Sequence, residues 1–417
     1  DTGYIWRGTS YYNSPCGWNF GQFEDAILDC ALHLISQDSR ISSKNSFKLS
    51  DPVWLARILS AAVNANDESG VLLGNWSGYY ADGTNPVSWN GSVKIIQSYI
   101  ENYQPVKYGQ CWVFSGVLTT LLRTLGIPSR SITNFSSAHD TDNSMTIDNF
   151  VHENHEKIEG LSGDSVWNFH VWNEIFTKGT GHWPFKYAGW AVVDSTPQER
   201  SRGIMQCGPA PVKAIKAGDI YIGYDTGFVF SEVNADRITW VCQTEGDHVT
   251  VSHMGNRSNR AIGKRITTKA VGTGRRNDIT ENYKFPEGSE EERNAWKNAY
   301  AFTTRPEYSS KFLNVEEEGK MLNIEIKTVP EIPINGEDVT INVNVENVGD
   351  ENVTVDIHSV LHSCFYTGHK EKFIFQNIQS DCAISAQSQM SHNFTVDYNT
   401  YKSCLADDQM SMKLETV

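Results

Sequence analysis

Apolar residues in the first third of the chain recur every three or four positions, the period of a helix with one buried face. Ile27, Leu28, Ala31, Leu32 and Ile35 predict one such helix. Asp51-Pro52 opens a second, capped by Asp51 or Ser50, with Val53, Leu55, Ile58, Leu59 and Val63 on its apolar face. A third is predicted from Val93 to Ile100. The fourth starts at Tyr108-Gly109-Gln110-Cys111-Trp112-Val113-Phe114, continues through Val117, Leu118, Leu121, Leu122 and Leu125, and stops at Gly126-Ile127-Pro128.

From residue 130 onward the pattern turns to β-branched and aromatic runs. Arg130–Asn134, Ser165–Trp172 and Trp190–Asp194 read as strands. Helices followed by strands predict an α+β domain over residues 1–300. The polar stretch 301–318, with Pro306 and Glu316-Glu317-Glu318, reads as a linker or hinge. In 319–417 the period becomes two: Leu322, Ile324 and Ile326; Val339, Ile341, Val343 and Val345; Val353, Val355 and Ile357. That region is expected to form a small all-β sandwich or barrel.

Composition narrows the function. A net charge of -15 argues against non-specific nucleic-acid binding and suits a protein that binds cations. No apolar run is long enough to cross a bilayer, and no signal-peptide pattern opens the chain. The first residue is Asp1, which is compatible with removal of a leader or an upstream domain. Eight scattered cysteines show neither CxxC pairs nor zinc spacing, which favours free thiols in a reducing compartment. A cytoplasmic location is therefore expected, or an extracellular one reached without a signal peptide.

Cys111 stands out because it falls at a helix N-terminus, where the dipole and free N–H groups favour a thiolate nucleophile. The competing assignment is a small buried apolar residue. His170 and Asp194 supply what a nucleophile needs. If their strands form an antiparallel hairpin, its centre falls at residue 182, inside the turn-like Gly179-Thr180-Gly181-His182-Trp183-Pro184. His170 and Asp194 would then face each other, and an Asp can fix the tautomer of the His and stabilise its imidazolium.

Three stretches carry a family resemblance: Tyr108–Phe114 around Cys111, Val166–Glu174 around His170, and Gly189–Glu199 around Asp194. Together they resemble the calcium-dependent animal transglutaminases, most of all the epidermal-type members. The resemblance implies a papain-like α+β core followed by the first of two C-terminal immunoglobulin-like β-barrels. It also implies that the family's N-terminal β-sandwich and second barrel are missing from this chain, as in a fragment, a processed form or a shortened member. By matching motif, Cys111 is the nucleophile, His170 the acid/base and Asp194 its orienting partner. Trp76 matches the tryptophan whose indole N–H joins the Cys111 amide in stabilising the oxyanion, and Trp167 the other wall of the substrate tunnel. The implied reaction is acyl transfer from a protein-bound glutamine to a lysine or small primary amine through a Cys thioester, with deamidation as the side reaction.

The same resemblance implies three Ca²⁺ sites, drawn from hard oxygens. One comprises Asn234, Asp236, Glu287 and Glu292 with the Asn259 carbonyl. The second comprises Asp140, Asp142, Ser144 and Asp164 with the Thr146 carbonyl; Met145 and Val151 stand where an EF-hand loop needs Gly and Glu. The third comprises the Ala61 carbonyl, Asn64, Asn66 and Glu68. Tyr366 matches a barrel tyrosine whose hydroxyl covers the cysteine in the calcium-free form. Asn323 and Glu325 replace the arginines of the nucleotide-inhibited branch, so guanine-nucleotide control is not expected. Two rival assignments share the triad: a papain-like cysteine protease, and a catalytically silent structural member of the family.

Overall fold

The computed structural model describes residues 1–42, 44, 46–66, 70–154, 156–158, 160–246, 248–303, 322–331, 333–405 and 410–416. The chain divides into two compact units, Asp1–Val151 with Lys157–Pro306, and Glu307–Val417 with His152–Glu156. Apart from 301–303, the segment expected as a linker lies outside the described residues.

Four helices of the first unit follow the apolar periodicity: α1 (Ile27–Gln37), α2 (Pro52–Val63), α3 (Val93–Asn102) and α4 (Cys111–Thr124). Asp51 caps α2 by accepting the Val53 N–H at 2.9 Å, ahead of Pro52. The face of α1 differs from expectation. Ile27, Cys30, Ala31, Leu34 and Ile35 are buried, whereas Leu28 and Leu32 are about half exposed. The buried set keeps the 3–4 spacing of a single stripe, and Leu28 and Leu32 fall beside it.

α4 is the central helix, buried from Cys111 to Leu122. Its mid-helix Gly116 has a packing reason: a Cβ there would lie 2.3 Å from the ring of Trp18. Trp18 is fully buried and donates its indole N–H to Ser92 Oγ at 2.9 Å.

The strands β5 (Ser129–His139), β7 (Ser165–Thr177) and β8 (Gly189–Asp194) build the middle of a six-stranded antiparallel sheet. Cys207–Pro211 extends it beyond β8, and Lys264–Lys269 and Arg276–Asp278 extend it beyond β5. β5 is longer than the short strand expected, because its buried residues pair with β7 from Ser129 to His139. β7 and β8 form the predicted hairpin with a shifted register. Asn173 faces Val193 and Thr177 faces Gly189, so the hairpin centres on Trp183 and the ladder ends before either His170 or Asp194. The shift moves the partner by two residues, which preserves the sheet face; a one-residue slip would have reversed it. Later in the first unit come the helix α5 (Thr226–Asn234), the strand Asp236–Glu245 and the helix α6 (Glu290–Tyr300).

The second unit is two three-stranded antiparallel sheets around one core. One is ordered Leu322–Val329, Val339–Asn347, Ser388–Val396; the other Lys370–Ile384, Val353–Phe365, Met410–Thr416. Val339, Ile341, Val343 and Val345 point inward and pack with Ile357, Leu361, Ile384 and Phe394. Among the described residues no helix is long and apolar enough to cross a membrane.

Candidate active site

Cys111 is the first residue of α4, and no side chain caps the helix at Gln110. Three ties hold this turn against the sheet. Ser115 Oγ donates to the Trp172 carbonyl at 3.0 Å, Asn173 Nδ2 donates to the Ser115 carbonyl at 3.0 Å, and Ser195 Oγ reaches the Phe114 carbonyl at 3.4 Å. The ring of Trp112 meets that of Phe169 at 6.0 Å, so the neighbours of Cys111 and His170 are in contact. Cys111 is fully buried.

His170 and Asp194 meet just past the end of the β7–β8 ladder, with Nε2 to Oδ2 at 2.7 Å and both side chains buried. Asp194 is further fixed by the Thr196 N–H, 2.8 Å from Oδ1. His170 Nδ1 is buried and has no hydrogen-bond partner. An imidazole held by a carboxylate through Nε2 keeps Nδ1 for another group, the division of labour that general acid–base catalysis requires.

Trp76 and Trp167 come together, 6.5 Å between ring centroids. Trp76 stacks on Phe114 at 6.3 Å, and Trp167 turns its edge toward His170 at 5.2 Å. Gly74 makes room for this, since a Cβ there would lie 2.5 Å from the Trp76 ring.

Two polar residues beside the pair escaped the sequence reading. Gln198 places Nε2 at 3.0 Å from His170 Nε2, 3.3 Å from Asp194 Oδ2 and 3.1 Å from Glu232 Oε1. Glu232, on α5, is buried, and burial followed by the charge of Asp194 pushes its carboxyl well above the usual range, against the Gln198 hydrogen bond. Gln198 lay inside the quoted Asp194 motif, but no spacing signal links Glu232 to His170.

The oxygen-rich sets differ in charge balance. Asp140, Asp142 and Asp164 each place an oxygen within 4.8 Å of the others. The loop after Asp140 curls around its carboxylate, which accepts N–H bonds from Asp142, Ser144 and Met145 and the Ser231 hydroxyl. Burial, then the neighbouring charges of Asp164 and Asp142, raise Asp140 to about 7 against the Ser231 and Met145 hydrogen bonds. Asp148 was not anticipated; burial, with Asp164 and Asp142 contributing, raises it to about 6 despite bonds from Trp240 and Thr146. Ser144 Oγ reaches the Thr146 carbonyl at 3.2 Å. A cavity of about 550 Å³ runs between this loop and Gln198.

In the Asn234 set, Asp236 is held by Arg257 (2.7 Å) and by Arg293 (2.9 and 3.0 Å). Glu292 pairs with Arg293, and Glu287 with Lys284 at 2.6 Å. Asn234 Oδ1 and Glu287 Oε2 are buried without hydrogen-bond partners. Asn259 follows the strand His248–Ser258. In the third set the Ala61 carbonyl accepts from Asn64 Nδ2 at 3.1 Å, and Asn64 Oδ1 from the Asn66 N–H at 3.3 Å. Glu68 lies outside the described residues. Tyr366 stands in the second unit, in the turn that follows Val353–Phe365.

A family model described as the transglutaminase-like superfamily matches residues 89–195, the span that contains Cys111, His170 and Asp194. The chain belongs to the transglutaminase-like superfamily. It is 40% identical over 414 residues to protein-glutamine gamma-glutamyltransferase K of Canis lupus familiaris, covering 99% of this chain and 49% of that protein. To the human gamma-glutamyltransferase E it is 39% identical over 419 residues, covering 98% of this chain and 59% of that one. The crystal structure of red sea bream transglutaminase superposes with a TM-score of 0.81 at 35% identity, over 100% of this chain and 60% of that chain. This transglutaminase-like chain thus spans between about half and three-fifths of the length of these relatives. Its papain-like α+β core followed by a mostly β region fits that fold.

Proposed function

We propose that the chain carries a protein-glutamine gamma-glutamyltransferase site that joins glutamine-bearing proteins to lysine side chains or small primary amines. The observation that carries this reading is the buried His170–Asp194 pair at 2.7 Å with Nδ1 uncommitted, its chain neighbours Phe169, Trp172 and Ser195 tied to the first turns of α4. The names of the relatives, matched over nearly all of this chain, support the same reaction class.

In the first half-reaction Cys111 Sγ attacks the glutamine Cδ. His170 protonates the leaving amide nitrogen, ammonia departs and a thioester remains. In the second, His170 takes a proton as the amine nitrogen attacks the thioester carbon; the C–S bond breaks and the thiol is restored. Each attack passes through an oxyanion that fixed donors must hold. The Trp76 indole N–H and the Cys111 amide are the proposed donors. The Trp76–Trp167 walls exclude water, which would otherwise hydrolyse the thioester and convert crosslinking into deamidation.

Asp140, Asp142 and Asp164, with Ser144 and the Thr146 carbonyl, fit Ca²⁺: their donors are hard oxygens, and the negative charge packed around buried Asp140 is relieved by a cation. When bound there, calcium supplies fixed positive charge against three carboxylates. At the Asn234 set the orphaned Asn234 and Glu287 oxygens suit a cation, but Asp236 and Glu292 already have arginine partners. A cation held there would have to share those oxygens with the Arg257 and Arg293 guanidinium groups. None of the eight cysteines is in a disulfide among the described residues, an arrangement that suits a reducing compartment.

The test is calcium-dependent incorporation of a primary amine into a glutamine-bearing protein, with Cys111→Ala as control. Incorporation that disappears in that variant supports the reading; peptide hydrolysis without incorporation overturns it in favour of a protease. Trp76→Phe keeps an aromatic side chain and removes the donor, and is expected to lower turnover by about 10²–10³. Unchanged turnover would remove Trp76 from the oxyanion site.

A further inference from the structure

Gln110 has no step in the reaction just described, yet it ties together the chain segments that carry the two proposed oxyanion donors. Its side chain is 1% exposed, and Nε2 donates to the Asn75 carbonyl at 2.9 Å and to the Tyr80 hydroxyl at 2.9 Å. A carbonyl can only accept, so the amide has one orientation, and Oε1 is left buried without a hydrogen-bond partner. A backbone bond runs the other way, from the Asn75 N–H to the Gly109 carbonyl at 3.1 Å. The Asn75 carbonyl belongs to the peptide unit that carries the Trp76 nitrogen, and Gln110 directly precedes Cys111.

The two donors also leave a common frame. Leu72–Gly74 and Val106–Gly109 pair in parallel, with Gly74 opposite Gly109. Trp76 and Cys111 each stand two residues past that pair. Beyond it the segments part, since Cys111 begins α4 while the Trp76 segment folds on itself. Asn75 Oδ1 accepts the Ser77 N–H at 2.9 Å and the Ser77 hydroxyl at 2.7 Å, and Asn75 Nδ2 donates to the Tyr79 carbonyl at 2.9 Å. Gln110 reaches this loop at both ends, Asn75 and Tyr80.

We propose that Gln110 is a positioning residue whose amide locks the Trp76 loop to the start of α4, so that the Trp76 indole N–H and the Cys111 amide address one oxygen. This rests on the oxyanion donors assigned in the proposed transfer reaction. Two donors stabilise one oxyanion only if their spacing is set before the charge develops. The stack of Trp76 on Phe114 fixes the plane of the ring but tolerates sliding within it. Hydrogen bonds are directional, and the pair made by Nε2 removes that freedom.

The experiment is a double-mutant cycle on the full chain, read as ammonia release from a glutamine peptide. Gln110→Met keeps the length of the side chain and removes the donor. It is expected to lower kcat by about tenfold or more in the parent chain. In Trp76→Phe, which has no indole donor left to aim, the same change should cost less than about twofold. An equal loss in both backgrounds overturns the proposal, because Gln110 would then act on Cys111 itself or on folding. Tyr80→Phe leaves Nε2 with one acceptor in place of two; a smaller loss with the same dependence on Trp76 is expected. It gives the answer if Gln110→Met does not fold. Fluorotryptophan ¹⁹F NMR of the folded variants reads the lock without the reaction. The Trp76 signal, identified by its loss in Trp76→Phe, should shift or broaden, while that of Trp296 on α6 stays in place. An unmoved Trp76 signal overturns the lock whatever the activity. A moved signal in a chain that releases no ammonia supports the lock and refutes the transfer reading instead.

Discussion

Two acidic neighbourhoods of the core are built from similar residues and reach opposite charge balances. Around Asp140 the oxygens of Asp142 and Asp164 crowd together, and burial with their charge raises Asp140 to about 7. Around Asp236, Arg257 and Arg293 bring two fixed positive charges to a side chain with no exposed surface. Burial still raises Asp236, but both arginines counter it. An acidic cluster therefore predicts an ion site only after the nearby cations have been counted. The first neighbourhood lacks charge that a divalent ion supplies; the second has met most of that need within the chain.

The largest effect is expected from taking the internal cation away. Arg293→Met leaves Glu292 and part of the Asp236 charge uncompensated in a buried setting, at a cost of about 3 kcal/mol in unfolding without calcium. Urea unfolding measures this, and a variant as stable as the parent would break the contrast between the two sites. Next comes Asp164→Asn, which removes one of three clustered charges; calcium affinity at that site should fall about tenfold or more by calorimetric titration. An unchanged isotherm would mean that the Asp140 cluster is not where calcium binds. The smallest change is expected for Glu287→Gln. Its pair with Lys284 is partly exposed on the Glu287 side, so calcium-free stability should shift by less than about 1 kcal/mol. A larger loss would show that Lys284 is the anchor of the second site and that the arginines are secondary.

Local pattern carried much of the architecture. The apolar stripes of α2 and α4, the Asp51-Pro52 start and the alternating Val339–Val345 strand are each written within a few consecutive residues, because 3.6- and two-residue periods are properties of the chain itself. The placement of Cys111 at a helix start belongs to this class. The stripe of α1 was less legible, since Leu28 and Leu32 share its apolar character and only packing distinguishes them from Cys30 and Leu34.

The hairpin marks the limit of such reasoning. A turn-rich stretch located its centre to within one residue, enough to set His170 and Asp194 on one face, but their approach at 2.7 Å occurs beyond the ladder. That contact depends on where β8 stops pairing. By itself, the sequence determined which segments are helix or strand and which residue types could hold a thiolate, a proton or a cation. Tertiary structure decided which of them meet: Glu232 comes to His170 from a helix 62 residues further along, and Arg257 and Arg293 pair with Asp236, which the family resemblance places in a calcium set. The reason is the range of the forces. Backbone periodicity acts over a few residues, whereas burial and Coulomb interactions depend on distance in space, to which separation along the chain gives no guide.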